Sequence, residues 1–225
     1  MLYSLRKKIY QRFAKKSKKH SRKNLYDRLR TELRIIQNGA NVLNVGAGGD
    51  VARVIGEELS GKIINVKSLD IDPLMKPDMV GDVCNIPFPD QSLDLIIIME
   101  VLEHVNEPFV AISEIYRVLK PNAKVILSTP FIYPVHADPH DYFRYTKNGL
   151  LYMLRSFKNV EVVERNNYVE AIDVLLIRSI SDKDEKARLF SLTTYYSGLR
   201  LIIKLFGLGI KSKNLTTGYV AVAQR

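Results

Sequence analysis

The sequence predicts an α/β fold: an open, mostly parallel sheet of seven strands with helices on both faces. Three observations carry this expectation. Short apolar runs alternate with stretches of helical periodicity along most of the chain, which argues for parallel strands joined by right-handed crossovers. Leu93 to Met99 is a near-continuous apolar run, the pattern of a strand buried on both faces. Glycines cluster at positions 46, 48 and 49 directly after another apolar run, where a tight strand-to-helix turn needs positive φ angles.

Taken in order, Leu25, Leu29, Leu33 and Ile36 recur at helical spacing, and Asn38-Gly39 closes that helix near Gln37. Val42 to Val45 is the first strand, and Val51 to Leu59 the helix after it. Lys62 to Leu69 reads as the second strand, Met79 to Asp82 as a short third, and Leu93 to Met99 as the fourth. Phe109, Ile112, Tyr116 and Leu119 mark a helix stopped by Pro121, and Lys124 to Ser128 is the fifth strand. Thr146 is placed to N-cap a helix running to about Ser156. Val160 to Glu164 and Tyr219 to Ala223 are the last two strands. Between them lie about fifty residues that a minimal doubly wound sheet does not need. A helical insertion at about 168–213 is expected there, including the apolar and basic stretch from Leu199 to Ile210.

Composition narrows the class. A chain of 225 residues with 46% hydrophobic and 26% charged content can form one globular domain. Cys84 is the sole cysteine, so no intramolecular disulfide is possible and a reducing, cytoplasmic setting is expected. No apolar run approaches the roughly 18 residues of a membrane span, and the N-terminus lacks the apolar segment of a secretory signal. The net charge of +10 is local. Of the 34 Lys and Arg, ten fall in residues 1–24, which hold no acid, and the other 24 balance the 24 Asp and Glu. The chain is therefore read as a basic arm, 1–24, followed by a formally neutral domain, 25–225. Leu2, Leu5, Ile9 and Phe13 give the arm one apolar face among its lysines, a pattern that suits an anionic membrane surface. A plain solvated arm is the alternative. RNA binding is disfavoured by the few aromatics and by the neutral domain.

The glycine turn has acidic companions. Gly46-Ala47-Gly48-Gly49 lets a ligand approach the backbone, but Val51 stands where a dinucleotide site wants a third glycine. Asp70 ends the second strand about twenty residues later, where a carboxylate can accept from both hydroxyls of a ribose. Asp82 ends the third strand, where it can accept from an adenine amino group. Three such elements at consecutive strand ends fit the rule that open α/β sheets bind ligands at their carboxyl edge.

These residues carry a family resemblance. Val42 to Asp50 (VLNVGAGGD) resembles the first motif of class I S-adenosylmethionine (SAM) methyltransferases, and Leu69 to Asp72 (LDID) their acidic motif. Gly81 to Ile98, Met99 to Pro108 (MEVLEHVNEP) and Glu114 to Pro121 are similar to the elements that follow. The resemblance covers roughly residues 40–130 and implies a Rossmann-like sheet whose last strand is antiparallel. It further implies that Gly46, Ala47 and Gly48 lie along the methionine part of SAM and that Asp70 binds ribose. Adenine contacts from Ile71, Asp82 and Val83 follow, with Met99 near the sulfonium. Asn44 is a departure: it stands where the family usually has Asp or Glu, so that subsite has an amide in place of a charge.

Methyl transfer needs an aligned acceptor and, for a hydroxyl or amine, a base. Two segments offer one. Glu100, Glu103 and His104 lie three and four apart, so one helical face can present them together. Their segment is similar to one in ubiquinone-biosynthesis O-methyltransferases that can bind a divalent metal; a local hydrogen-bonded network is the alternative. His136 to Tyr145 (HADPHDYFRY) crowds two histidines, two aspartates and an arginine after the fifth strand. His136 and His140 are the preferred bases, with Asp138 and Asp141 orienting them. The competing reading is a structural loop in which Arg144 pairs an aspartate. That segment resembles one in methyltransferases of cell-surface polysaccharide synthesis. The expected function is therefore SAM-dependent methylation of a small molecule, saccharide or lipid-linked glycan, at an oxygen. An RNA or protein methyltransferase and a non-catalytic SAM-binding protein are the alternatives.

Overall fold

The computed structural model describes residues 17–135, 140–179, 186, 198–207, 210 and 212–225. In chain order the elements are α1 (Lys23–Ile35), β1 (Asn41–Val45), α2 (Gly49–Leu59), β2 (Asn65–Asp70), β3 (Met79–Val80), β4 (Leu93–Met99), α3 (Pro108–Val118), β5 (Leu119–Pro130), α4 (Lys147–Met153), β6 (Lys158–Glu164), α5 (Tyr168–Ser179), α6 (Leu199–Phe206) and β7 (Gly218–Gln224). The seven strands form one sheet in the order β3-β2-β1-β4-β5-β7-β6. β1 runs parallel to β2 and β4, β2 to β3, and β4 to β5. β7 is antiparallel: Asn122 and Ala123 at the start of β5 exchange backbone bonds with Arg225, just beyond the end of β7.

Alternation along β4 builds the two sides of the core. Leu95, Ile97 and Met99 pack with Leu25, Leu29 and Leu33 of α1 and Val54, Ile55 and Leu59 of α2. Ile96 and Ile98 face the opposite layer, with Ala111, Ile112 and Ile115 of α3 and Leu150 and Met153 of α4. Burying each such side chain contributes about 1.5–3 kcal/mol. The three leucines of α1, one helical turn apart, therefore hold that helix to the sheet.

Several boundaries differ from expectation for local reasons. β2 begins at Asn65 because Lys62 is not a strand residue. Its Nζ donates to the carbonyls of Leu33, Arg34 and Ile36 at 3.0, 2.7 and 3.1 Å, closing the C-terminal end of α1. α3 ends at Val118, because the residue before Pro121 is driven out of helical geometry, and β5 starts at Leu119. β3 stops at Val80, since Gly81 donates to the Asp70 carbonyl and Asp82 turns the chain. Thr146 caps α4 as expected, its hydroxyl accepting from the Gly149 amide.

The chain divides into two compact units. One comprises Leu25–Phe131, Val135–Val163 and Tyr219–Arg225 and holds the sheet. The other takes in the N-terminal segment through Asn24, Ile132–Pro134 and Glu164–Gly218. In this second unit Arg178 of α5 donates to Ser17 Oγ at 3.0 Å, and the Asn166 amide donates to the His20 carbonyl at 3.2 Å. The arm up to residue 16 lies outside the described residues. No helix among the described residues is long and apolar enough to cross a membrane.

Candidate cofactor and active site

β1 delivers the chain into a turn whose backbone favours glycine. Gly46, Gly48 and Gly49 have φ of +86°, +90° and +64°. A β-carbon on Gly46 would also meet Val101 Cγ2 at 2.7 Å, whereas one on Gly49 would meet no atom of the described residues within 4 Å. Bonds across the strand ends fix the turn. Gly46 N–H donates to the Leu69 carbonyl at 2.8 Å and Ala47 N–H to Asp70 Oδ2 at 2.7 Å. Asp70 Oδ1 accepts from Asp72 N–H at 2.9 Å, and the Asp70 carbonyl accepts from Gly81. Asp70 thus ties the glycine turn to the ends of β2 and β3, bringing together three of the elements expected to hold the cofactor.

The remaining residues expected to contact the cofactor divide. Ile71 is 66% exposed at the mouth of this edge, open to contact. Asp82 Oδ1 accepts from Cys84 N–H at 2.8 Å, shaping the turn after β3. Val83 and Met99 are buried in the core, so Val83 can meet a ligand chiefly through its backbone. Leu74 and Met75 were not expected here. Asp72 caps the short turn Pro73–Met75 through a 2.9 Å bond to Leu74 N–H, and Met75 Cε lies 3.4 Å from where a Gly48 β-carbon would be. Asp-Pro at a cap and first turn position is the sequence signal that marks this element.

Asn44 is the most informative side chain of the site. It is buried, and its Nδ2 donates to the Gly46 carbonyl at 3.1 Å. That bond fixes the amide, because the reverse orientation would set two oxygens against each other. Asn44 Oδ1 is then buried with no hydrogen-bond partner among the described residues. An orphaned acceptor beneath a glycine cradle fits a ligand that brings a donor, such as an ammonium group. A carboxylate at this position could not donate to Gly46, so the amide changes what the residue does for the turn itself.

The segment after β4 is not one helical face. Glu100 has φ +59° and lies outside the short turn Leu102–His104, which corrects the expectation that Glu100, Glu103 and His104 project together from a helix. Glu100 Oε1 accepts from Ser128 Oγ at 2.9 Å. His104 Nδ1 donates to the His140 carbonyl, and its other nitrogen, Nε2, lies 3.8 Å from Glu103 Oε1. Among the described residues no group of three or more His, Cys, Asp or Glu is arranged to hold a metal ion.

The segment after β5 is stitched to that turn. Tyr142 and Phe143 amides donate to the Glu103 carbonyl, and Tyr145 Oη donates to the Leu102 carbonyl at 2.9 Å. His136 and Asp138 lie outside the described residues. The His140 ring rests near Tyr142, and it is the His140 carbonyl that engages His104. Asp141 is buried in a two-pronged ion pair with Arg144, the structural pairing weighed against a catalytic role. That hydrogen bond holds the Arg144 guanidinium above its ordinary pKa against the cost of burial, helped by the charges of Glu103 and Glu100. Burial, and then the Glu103 charge, push the Tyr145 phenol up, so it stays protonated. An apolar cavity of about 460 Å³ opens between the start of α3 and α4, lined by Phe109, Val110, Phe143, Tyr145, Tyr152 and Met153.

Comparison with known proteins agrees with this geometry. Residues 38–127 match the family model described as a methyltransferase domain. The chain is 33% identical over 100 residues to a demethylmenaquinone methyltransferase of Renibacterium salmoninarum, covering 40% of this chain and 41% of that protein. It is 30% identical over 106 residues to the ubiquinone/menaquinone biosynthesis C-methyltransferase UbiE of Cupriavidus necator, covering 41% and 44%. The chain thus spans less than half the length of these curated relatives. A SAM-dependent methyltransferase structure from Archaeoglobus fulgidus superposes with a TM-score of 0.58 at 18% identity, over 91% of this chain and 95% of that one, which shows the fold. Residues 38–127, which hold the glycine turn and the acids that follow it, are thus similar to a methyltransferase domain, on a fold shared with SAM-dependent methyltransferase structures.

Proposed function

We propose that the chain binds SAM at the carboxyl edge of β1, β2 and β3 and methylates a small-molecule acceptor. The orphaned Asn44 Oδ1 beneath the glycine turn carries this reading, because it is an acceptor awaiting a ligand's donor. Asp70 has two carboxylate oxygens at the same edge, each with a lone pair left beyond its one backbone bond, to receive ribose hydroxyls. When bound, SAM supplies a methyl group already activated by its sulfonium. The protein's own work is to align the acceptor and take its proton. His104 is the base in this proposal: its Nδ1–H is fixed on the His140 carbonyl, and proton uptake at Nε2 places a cation 3.8 Å from Glu103. His140 then acts through its backbone, as a positioning residue, and Asp141 with Arg144 holds the segment in place. His136 stays a candidate base as read from the sequence.

The acceptor class expected from sequence is a small molecule, saccharide or lipid-linked glycan methylated at oxygen. The cavity favours a second reading. Its aromatic and apolar lining suits a ring-shaped apolar acceptor, as the names of the quinone-methylating relatives suggest. The test is S-adenosylhomocysteine release from SAM with each acceptor class supplied in turn. Turnover with a short-chain naphthoquinol and none with a glycan favours the second reading. The reverse favours the first. Release with neither, nor with RNA or protein, contradicts methyl transfer to these classes.

A further inference from the structure

The second compact unit carries an apolar face that the cofactor site does not use. On α6, Leu201, Ile202, Leu205 and Phe206 are 62, 49, 57 and 82% exposed, and Ile210 just beyond is exposed too. At about 100° per residue these four helical positions share one arc of roughly 140°. From Gly198 to Gly218 the sequence has four basic residues, Arg200, Lys204, Lys211 and Lys213, and no acid. The helix packs against α5, whose Arg178 holds Ser17 at the end of the basic N-terminal segment. The ten basic residues of 1–24 therefore lead into the same unit that displays the apolar face.

We propose that α6 is an interfacial membrane helix that lays Leu201, Ile202, Leu205 and Phe206 into the surface of an anionic bilayer. Charge selects this occupant. A second copy of the chain would bring together two 198–218 segments that each carry four basic residues and no acid, whereas anionic headgroups neutralise that charge. Length selects the mode. An eight-residue helix is about 12 Å long, far short of the roughly 30 Å of a bilayer core, so it lies in the interface plane. The proposal is independent of methyl transfer and of what the acceptor is.

The chain has no tryptophan, so Phe206→Trp creates a single reporter. Full-length protein with this change is titrated with vesicles of phosphatidylcholine containing about 30% phosphatidylglycerol, and with pure phosphatidylcholine. Expected are binding to the anionic vesicles, a blue shift of the emission, quenching by brominated lipid, and weaker binding from about 0.1 to about 0.5 M salt. Adding Leu205→Glu should abolish the blue shift and weaken binding at least about tenfold, the loss for one inserted leucine, with the circular dichroism spectrum unchanged. Binding without a blue shift would mean that the basic arm acts alone and would overturn the proposal. So would absence of binding at low salt, or a blue shift that follows protein concentration without vesicles, which would mark self-association.

Discussion

Gly46→Ala tests the turn on which the proposed cofactor site is built. Two costs follow from its geometry. At φ +86° an alanine sits in the left-handed region, about 1–2 kcal/mol for an L-residue. Its β-carbon would also lie 2.7 Å from Val101 Cγ2, a contact that forces the β-branched Val101 off its rotamer for about another 0.5–1.5 kcal/mol. Reduced freedom in the unfolded chain returns about 0.4–1 kcal/mol. The net loss is about 0.5–3 kcal/mol, or about 1–12 °C in Tm for a chain of this size. Gly49→Ala is the internal control. Its φ is +64° and no atom of the described residues lies within 4 Å, so only the backbone cost applies and the loss should stay near 1 kcal/mol or below. Combining Gly46→Ala with Val101→Ala removes the clash, and the double mutant should be more stable than the sum of the single effects by about 1 kcal/mol. Thermal unfolding of the four proteins measures all of this. Gly46→Ala no more harmful than Gly49→Ala, or strict additivity with Val101→Ala, would refute the reasoning.

Three further outcomes are expected. Asn44→Asp replaces the Nδ2–H bond to the Gly46 carbonyl with facing oxygens at 3.1 Å and buries a charge, so denaturant titration at pH 7 should show a loss of about 2–4 kcal/mol. Burial raises the folded-state pKa of that new carboxyl, so the deficit should narrow as pH falls toward 5, and a constant deficit would contradict the contact. The Cys84 thiol is pushed up to about 11 by burial and then by the Asp82 charge, so iodoacetamide should react slowly at pH 8 and accelerate only toward pH 11. Because the folded pKa lies above the unfolded one, this thiol's contribution to stability is full below about pH 9 and fades as pH rises toward 11. Once an acceptor is known, His104→Gln should lower kcat by about 10²-fold or more with KM little changed, while His140→Ala, which keeps its backbone carbonyl, should leave kcat within a few-fold. Equal losses in both would move the base away from His104.

What could be read from the sequence follows physical range. The strands, the glycine turn and the leucine seam of α1 are set by periodicity and local φ requirements, so they were legible. Asp70 was legible as a strand-end acid because spacing along the chain mirrors spacing along the sheet edge, whereas Asp82 lies two residues beyond the end of β3, in a turn that periodicity did not mark. Lys62 was not legible, since its three carbonyl partners lie at the end of a helix about 28 residues earlier. Nor was the Glu100 kink, which removes that residue from the helical register its spacing implies. Asn44 stood out as a departure from the usual acid, but the direction of its amide depends on where the Gly46 carbonyl points. The segment after β5 offered two histidines by composition. Only in the fold is His104, from the other segment, held by the His140 backbone, and Asp141 committed to Arg144.

Isothermal titration of the protein with SAM tests the central claim most directly. A saturable heat at one site per chain is predicted, weakened about 10- to 100-fold by Asp70→Asn through lost charge-assisted bonds to ribose. No heat at millimolar SAM, from protein whose circular dichroism shows it folded, would contradict the assignment of this strand edge as a cofactor site.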